Sequence, residues 1–598
     1  MFFKQTLASL IGTLAGLFLF MTIGVSGLVI LLISLASLNT SPTIKDKSVL
    51  VFDLSTQVQD TEPPLTLSDV FSDEDQSVLT LRQVLQGIEK ATKDDRIQAI
   101  FLDGSTASGG SGYGTFSEIR EALAQFREAG KKIIVYDVTL SEQEYYLSAL
   151  ADTVILNPMG QMELKGLAIE PLFWSGTFDK YGIGVQTVRV GSFKGAIEPF
   201  TRKDLSPENR QQLQALLDDL WSNFLVTVGK NREVSPQILQ RLANNQGILT
   251  AQQALEVGLV DEVGYQDQAI AKLKELTGTT NSTEKSFPQV TLGTYLNVPV
   301  LQVPERSSSQ KIAVVYLEGA IVDGLGTLQQ VGGSRFANLL RQIRQDETIK
   351  AVVIRINSPG GSATASDIIL REIQLTQAEK PVIISMGNVA ASGGYWVATG
   401  GQHIFAQANT VTGSIGVFGL FLNINEIANN NGLSWDTVKT ANFGDLGTAT
   451  RPKTPQELAI YQGFVNQVYD LFLERVAKSR QLSKTKVNEI AQGRIWSGED
   501  AKTIGLVDSI GGLNAAINYA AQQAKLGTDW QLDEYPQRRG LESLFIRNNW
   551  DSNENLGQTS TDPLTKELIK FKDELTTLRS LNDPKGVYSR LPFNWPFH

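Results

Sequence analysis

Two glycine-rich turns hold the residues best suited to chemistry. In MGNVAASGGYWVATGG (386–401), Ser392 stands among small residues and directly before a glycine pair. Small neighbours let a substrate backbone approach, and the N–H groups opening the following helix suit a developing oxyanion. INSPGGSATAS (356–366) makes a similar turn. It is not a phosphate-binding P-loop, because no GKS or GKT follows. Taken alone, both turns also read as tight packing turns between a strand and a helix.

Composition limits the available partners for that serine. The chain has no cysteine, which removes thiolate metal sites, disulfides and cysteine nucleophiles. Its two histidines are His403 and His598, the last residue of the sequence. A zinc site of several histidines has too few ligands, and a Ser-His-Asp triad would depend on one of these two. A hydrolase built on Ser392 therefore points to a base other than histidine. No cofactor or metal is expected. The net charge of −10, from 53 basic and 63 acidic residues, gives no sign of a nucleic-acid partner.

The elements that position these turns come in two copies. IQAIFLD (97–103) matches IKAVVIR (349–355), and KKIIVY (131–136) matches PVIISM (381–386). VRVGSF (188–193) matches VKTANF (438–443), and LTAQQALEVGLVDEVG (249–264) matches WSGEDAKTIGLVDSIG (496–511). The offset stays between 247 and 252 throughout, which implies a duplicated domain. Within each copy, short apolar runs alternate with helical patterns, the mark of an α/β fold with mostly parallel strands. Long helices are predicted over 206–232 and 454–480. The expected layout is a first repeat over 46–277, a linker over 278–310, a second repeat over 311–525 and a tail over 526–598. The tail carries a charged helical pattern at 565–581 and ends in LPFNWPFH.

The duplication separates two residues of interest. Ser392 falls on Glu142 in the first copy, and Lys194 falls on Gly444 in the second. One half keeps a lysine and the other a serine, as in an enzyme that divides a dyad between its halves; independent drift would leave the same pattern. A lysine can serve as base only when neutral, and its ordinary pKa is about 10.4. Burial away from carboxylates lowers that value. Phe193, Gly195, Ala196 and Ile197 suit such burial, provided that Glu198 points away.

KGAIEP after VRVGSF, SPGG, and AASGGYW with TGSIG (412–416) together resemble the signal peptide peptidase A family in its long, duplicated, membrane-anchored form. The resemblance implies two tandem repeats with a crotonase- and Clp-protease-like fold. It also implies a serine protease with Ser392 as nucleophile, Lys194 as general base and Ser414 helping to position the amine. Oxyanion donors would be N–H groups near Gly360, Gly361 and Gly393. A homotetrameric bowl with internal active sites and an extracytoplasmic body, periplasmic or equivalent, is further implied. The expected substrates are cleaved signal peptides and other unfolded hydrophobic segments, in a groove near Val389, Ala390 and Val417.

From Leu7 to Leu38 no residue is charged, long enough for one membrane-spanning helix and longer than the apolar core of a secretory signal. Residues 1–45 thus read as an anchor in membrane lipid. Lys4 on one side and Lys45 and Lys47 on the other leave its orientation nearly balanced. Two other readings stay open: a crotonase-like acyl-CoA enzyme, in which paired N–H donors hold a thioester enolate, and an inactive membrane scaffold.

Overall fold

A computed structural model describes residues 12, 16–21, 44–62, 78–106, 110–279, 286–299, 308–536, 581, 583 and 586–591. Among these, no helix is long and apolar enough to cross a membrane. The apolar run over 7–38 lies outside the described residues except for 12 and 16–21, and the helical pattern over 565–581 lies outside them except for 581.

The duplication appears as two sheets of the same design. In the first, the strand order is Gln289–Thr291, Ser48–Asp53, Ile97–Gly104, Lys132–Leu140, Thr153–Glu163, Ile248–Thr250. In the second it is Gln531–Tyr535, Lys311–Glu318, Ile349–Ser358, Val382–Ala391, Val411–Gly413, Ile495–Ser497. All neighbours run parallel except the last pair in each. The central strands are rich in Val and Ile and buried on both faces, as parallel strands covered by helices must be. Each sheet takes an outer strand from beyond the repeat limits read in the sequence. Gln289–Thr291 comes from the 278–310 segment, and Gln531–Tyr535 lies past residue 525.

The long helices Pro207–Arg232 and Pro455–Arg480 occupy matching places. Each opens with proline at its first turn, where no N–H is needed, behind a Ser206 or Thr454 cap. Each ends at a residue in the left-handed region, Glu233 or Gln481.

A buried ion cluster ties the halves together. Arg355, on the second sheet, is fully buried and reaches two first-half carboxylates, Asp60 at 3.0 Å and Glu118 at 2.7 Å. The guanidinium also donates to Ser385 Oγ and the Met386 carbonyl. Glu118 in turn accepts the Leu513 N–H at 2.6 Å.

A third sheet draws on both halves and on the tail. Its order is Val331–Gly332, Ile321–Val322, Gly360–Ser362, Val587–Arg590, Val417–Asn423, Gly184–Val190. The last pair matters most for the site. Gly184–Val190 of the first half runs antiparallel along Val417–Asn423 of the second over seven residue pairs. That pairing delivers the following turn, with Lys194, into the second half.

Candidate active site

Ser392 sits where the strand Val382–Ala391 turns into the short helix Gly393–Ala398. Its backbone is at φ 58 and ψ −113, a region non-glycine residues seldom occupy. The turn is pinned by its own N–H, donated to the Gly413 carbonyl at 2.8 Å, and by its carbonyl, which accepts the Trp396 N–H at 2.8 Å. The glycine pair after it is sterically required. A methyl on Gly394 would lie 2.9 Å from the Ser358 carbonyl oxygen. One on Gly393 would lie 2.7 Å from Ser366 Oγ and 3.1 Å from the Gly361 nitrogen.

Lys194 follows the strand Gly184–Val190 in a tight turn. The turn is clamped by the second half: Phe193 donates its N–H to the Gln492 carbonyl at 2.9 Å. From within the first half, Gln212 Nε2 donates to the Phe193 carbonyl at 2.8 Å. Gly493 approaches so closely that a methyl there would lie 2.6 Å from the Lys194 nitrogen.

The two residues that the duplication separates meet here. Lys194 Nζ lies 2.6 Å from Ser392 Oγ, and 3.0 Å from both the carbonyl oxygen and Oγ of Ser414. Relative exposure is 1 % for Lys194, 0 % for Ser392 and 1 % for Ser414. Burial holds the amine well below its ordinary pKa, and no carboxylate opposes the effect. Glu198 does point away. Its carboxylate accepts from the Ser206 N–H, the Ser206 hydroxyl and Asn209 Nδ2. An uncharged amine has two N–H donors and one lone pair. The two oxygens of Ser414 can take the donors, leaving the lone pair for the Ser392 hydroxyl.

The glycines of the first turn lie beside the serine. Gly360 is at φ +92, and a methyl on it would lie 2.6 Å from the Gly393 nitrogen. Its own N–H is donated to Ser358 Oγ at 3.2 Å. Of the three glycines named from the sequence, Gly361 and Gly393 therefore keep N–H groups near one point, whereas Gly360 contributes its missing side chain. Val389, Ala390 and Val417, read as groove-lining, are buried, Val389 in a cluster that includes Leu591 and the other two in one that includes Val587. One participant was not foreseen. Ser589, from the tail, places its Oγ 2.6 Å from Ser392 Oγ. Its only signal in the sequence is the short β-prone stretch Val587-Tyr588 after Gly586.

A buried serine with an amine against it, at the carboxyl end of a parallel strand in a duplicated α/β fold, is an arrangement suited to a serine hydrolase. The family model described as Peptidase family S49 matches residues 125–280 and 374–527, one segment in each half. A second model, Clp protease, matches 309–412. The chain is 33% identical over 600 residues to Protease 4 of Haemophilus influenzae, covering 94% of each chain. It is 34% identical over 525 residues to Protease 4 of Salmonella typhi, covering 85% of this chain and 83% of that one. With the chloroplastic serine protease SPPA of Arabidopsis thaliana it shares 35% over 469 residues, 77% of this chain and 68% of the relative. The chain belongs to peptidase family S49 and is a serine protease.

Proposed function

We propose that Ser392 is the nucleophile and Lys194 the general base of an endopeptidase that degrades cleaved signal peptides and other unfolded hydrophobic segments. One observation carries the reading: the 2.6 Å approach of a fully buried amine to a fully buried serine hydroxyl, with no carboxylate nearby to hold the amine charged. Lys194 takes the serine proton as Oγ attacks the peptide carbonyl. The Gly361 and Gly393 N–H groups receive the oxyanion. Lys194 then passes the proton to the leaving amine, and water hydrolyses the acyl-enzyme by the same route. Ser414 directs the amine and touches no reacting carbon.

The uncharged run from Leu7 to Leu38 is the single-pass anchor in this reading, with the body extracytoplasmic. Hydrophobic remnants left in a bilayer then reach the enzyme by diffusion in two dimensions.

A homotetrameric ring completes the proposal, and the repeat supports it. The first-half strand Gly184–Val190 is paired inside the chain, but its second-half counterpart at 434–440 is exposed. Trp435 is 47% and Val438 98% exposed there. By the same offset, the partner for 434–440 is the stretch 167–173 of the next copy, where Leu172 is exposed. Such a head-to-tail contact closes into a ring when its rotation permits.

Labelling the full chain in detergent with a serine-directed phosphonate probe tests the site. Modification of Ser392 alone, absent in Lys194→Ala, is expected. Label on another serine with Ser392 unmodified would overturn the assignment.

A further inference from the structure

Lys194 and Ser392 belong to different halves, so their separation depends on what fixes the lysine turn to the second half. Residues 492–495 form the frame. The Gln492 carbonyl accepts the Phe193 N–H at 2.9 Å, one residue before the lysine. Gly493 donates its N–H to the Ile415 carbonyl at 2.8 Å, and the Arg494 carbonyl accepts the Ser414 N–H at 2.7 Å. Ile495 stands opposite Gly413 in the antiparallel pairing, and the Gly413 carbonyl accepts the Ser392 N–H at 2.8 Å. Four consecutive residues thus join the lysine turn, the Ser414 turn and the strand that seats the serine.

One first-half side chain grips this frame and the lysine turn together. Gln212 is buried on the helix Pro207–Arg232. Its Nε2 donates to the Phe193 carbonyl and to Asn209 Oδ1, each at 2.8 Å. Its Oε1 accepts the Ile495 N–H at 3.1 Å. A primary amide supplies both donors and the acceptor; no hydrocarbon of that length supplies either. The Phe193 carbonyl belongs to the peptide unit that enters Lys194, so Gln212 fixes the plane from which the lysine side chain departs. The same bonds govern the charges bordering the turn. Asn209, held by Gln212, donates Nδ2 to the Glu198 carboxylate at 2.9 Å and keeps it turned from the amine. Asn209 also lies on the turn, where a methyl on Gly195 would be 2.4 Å from its Nδ2. The Arg494 guanidinium lies over the Phe193 ring, 5.5 Å from its centroid.

Seating the helix does not require this amide. Leu213, Leu216 and Leu220 already pack with Val411 and Ile495 in one buried cluster. Apolar burial docks the helix, and the amide adds direction at a single peptide unit.

We propose that Gln212 is a positioning residue for the reaction: it locks the peptide unit before Lys194 to the second-half strand Ile495–Ser497 and so sets the reach of the amine to Ser392. The inference rests on Lys194 being the general base. Gln212 touches neither the substrate nor the reacting atoms. Its effect passes through the Phe193 carbonyl on one side and Ile495 on the other.

Steady-state hydrolysis of a fluorogenic peptide by the full chain in detergent tests this, with Gln212→Met, Gln212→Glu and Lys194→Ala compared across pH. Gln212→Met keeps the length and removes all three bonds. Its kcat should fall roughly 10- to 100-fold, the scale of a misplaced catalytic group, while KM changes little. Gln212→Glu keeps an acceptor for Ile495 but brings a carboxylate to the lysine turn. That charge favours the ammonium form, so the rising limb of the pH–rate profile should move to higher pH, which a loss of helix packing would not do. Circular dichroism shows whether each variant folds; if Gln212→Met does not, the Gln212→Glu profile decides. A wild-type kcat in folded Gln212→Met, or an unmoved limb in Gln212→Glu, would overturn the positioning role while an inactive Lys194→Ala leaves the dyad standing. Substantial hydrolysis by Lys194→Ala would refute the lysine base itself.

Discussion

Removing the Ser414 hydroxyl separates the base from its aim. Lys194 Nζ has three neighbours: Ser392 Oγ at 2.6 Å, and Ser414 O and Oγ at 3.0 Å. A neutral amine satisfies three directions with two donors and one lone pair, so Ser414→Ala leaves one N–H without an acceptor. A net hydrogen bond is worth about 1 kcal/mol, and a buried unsatisfied donor costs about 1–3 kcal/mol. At about 1.4 kcal/mol per factor of ten, the turnover rate should fall roughly 5- to 150-fold. KM should change little, because in this mechanism Ser414 holds the amine and not the peptide. The hydroxyl oxygen also stabilises the ammonium form, so its loss should move the rising limb of the pH–rate profile to lower pH. Ser414 itself is at φ 50. Ser414→Gly should therefore lose as much rate as Ser414→Ala while being the more stable protein. The assay is steady-state hydrolysis of a fluorogenic peptide from pH 6 to 10. A kcat within twofold of wild type in both variants would refute the positioning role.

Arg355→Met should lower the denaturation midpoint sharply. It strands Asp60 and Glu118 as buried carboxylates, a loss on the order of 3–5 kcal/mol read by urea titration. Ser392→Gly should be more stable than Ser392→Ala by about 1–3 kcal/mol, since only glycine occupies φ 58 with ψ −113 without strain; equal melting temperatures would contradict this. Val438→Asp should dissociate the proposed ring without changing the fold of one chain, because Val438 is almost wholly exposed. Light scattering reads the outcome, and an unchanged mass would exclude the 434–440 contact.

The duplication was legible because each copy builds the same sheet, so steady offsets in sequence became matching strand orders in space. The separation of lysine and serine was legible for the same reason, since only a comparison of copies shows that each half lacks what the other keeps. What joins them was not. The antiparallel pairing of Gly184–Val190 with Val417–Asn423 is a contact between dissimilar segments far apart in the chain, which periodicity cannot reveal. Glu198 was ambiguous because a carboxylate four residues from Lys194 can face either way; Ser206 and Asn209 turn it aside. Gly360 looked like an N–H donor, but Ser358 takes that N–H. The tail strand was hidden by brevity: four residues carry too little pattern to compete with the longer charged stretch before them.

The pH dependence of peptide hydrolysis by the full-length enzyme in detergent, with Lys194→Ala and Ser392→Ala beside it, tests the buried amine most directly. Only the neutral amine accepts a proton, and burial holds Lys194 well below its usual range. The wild-type rate should therefore rise with pH and level off well short of the ordinary lysine pKa. Both variants should lose at least about a thousandfold, near the upper range for loss of a general base. A rate still climbing through that ordinary pKa, or substantial hydrolysis by Lys194→Ala at neutral pH, would contradict a lysine base.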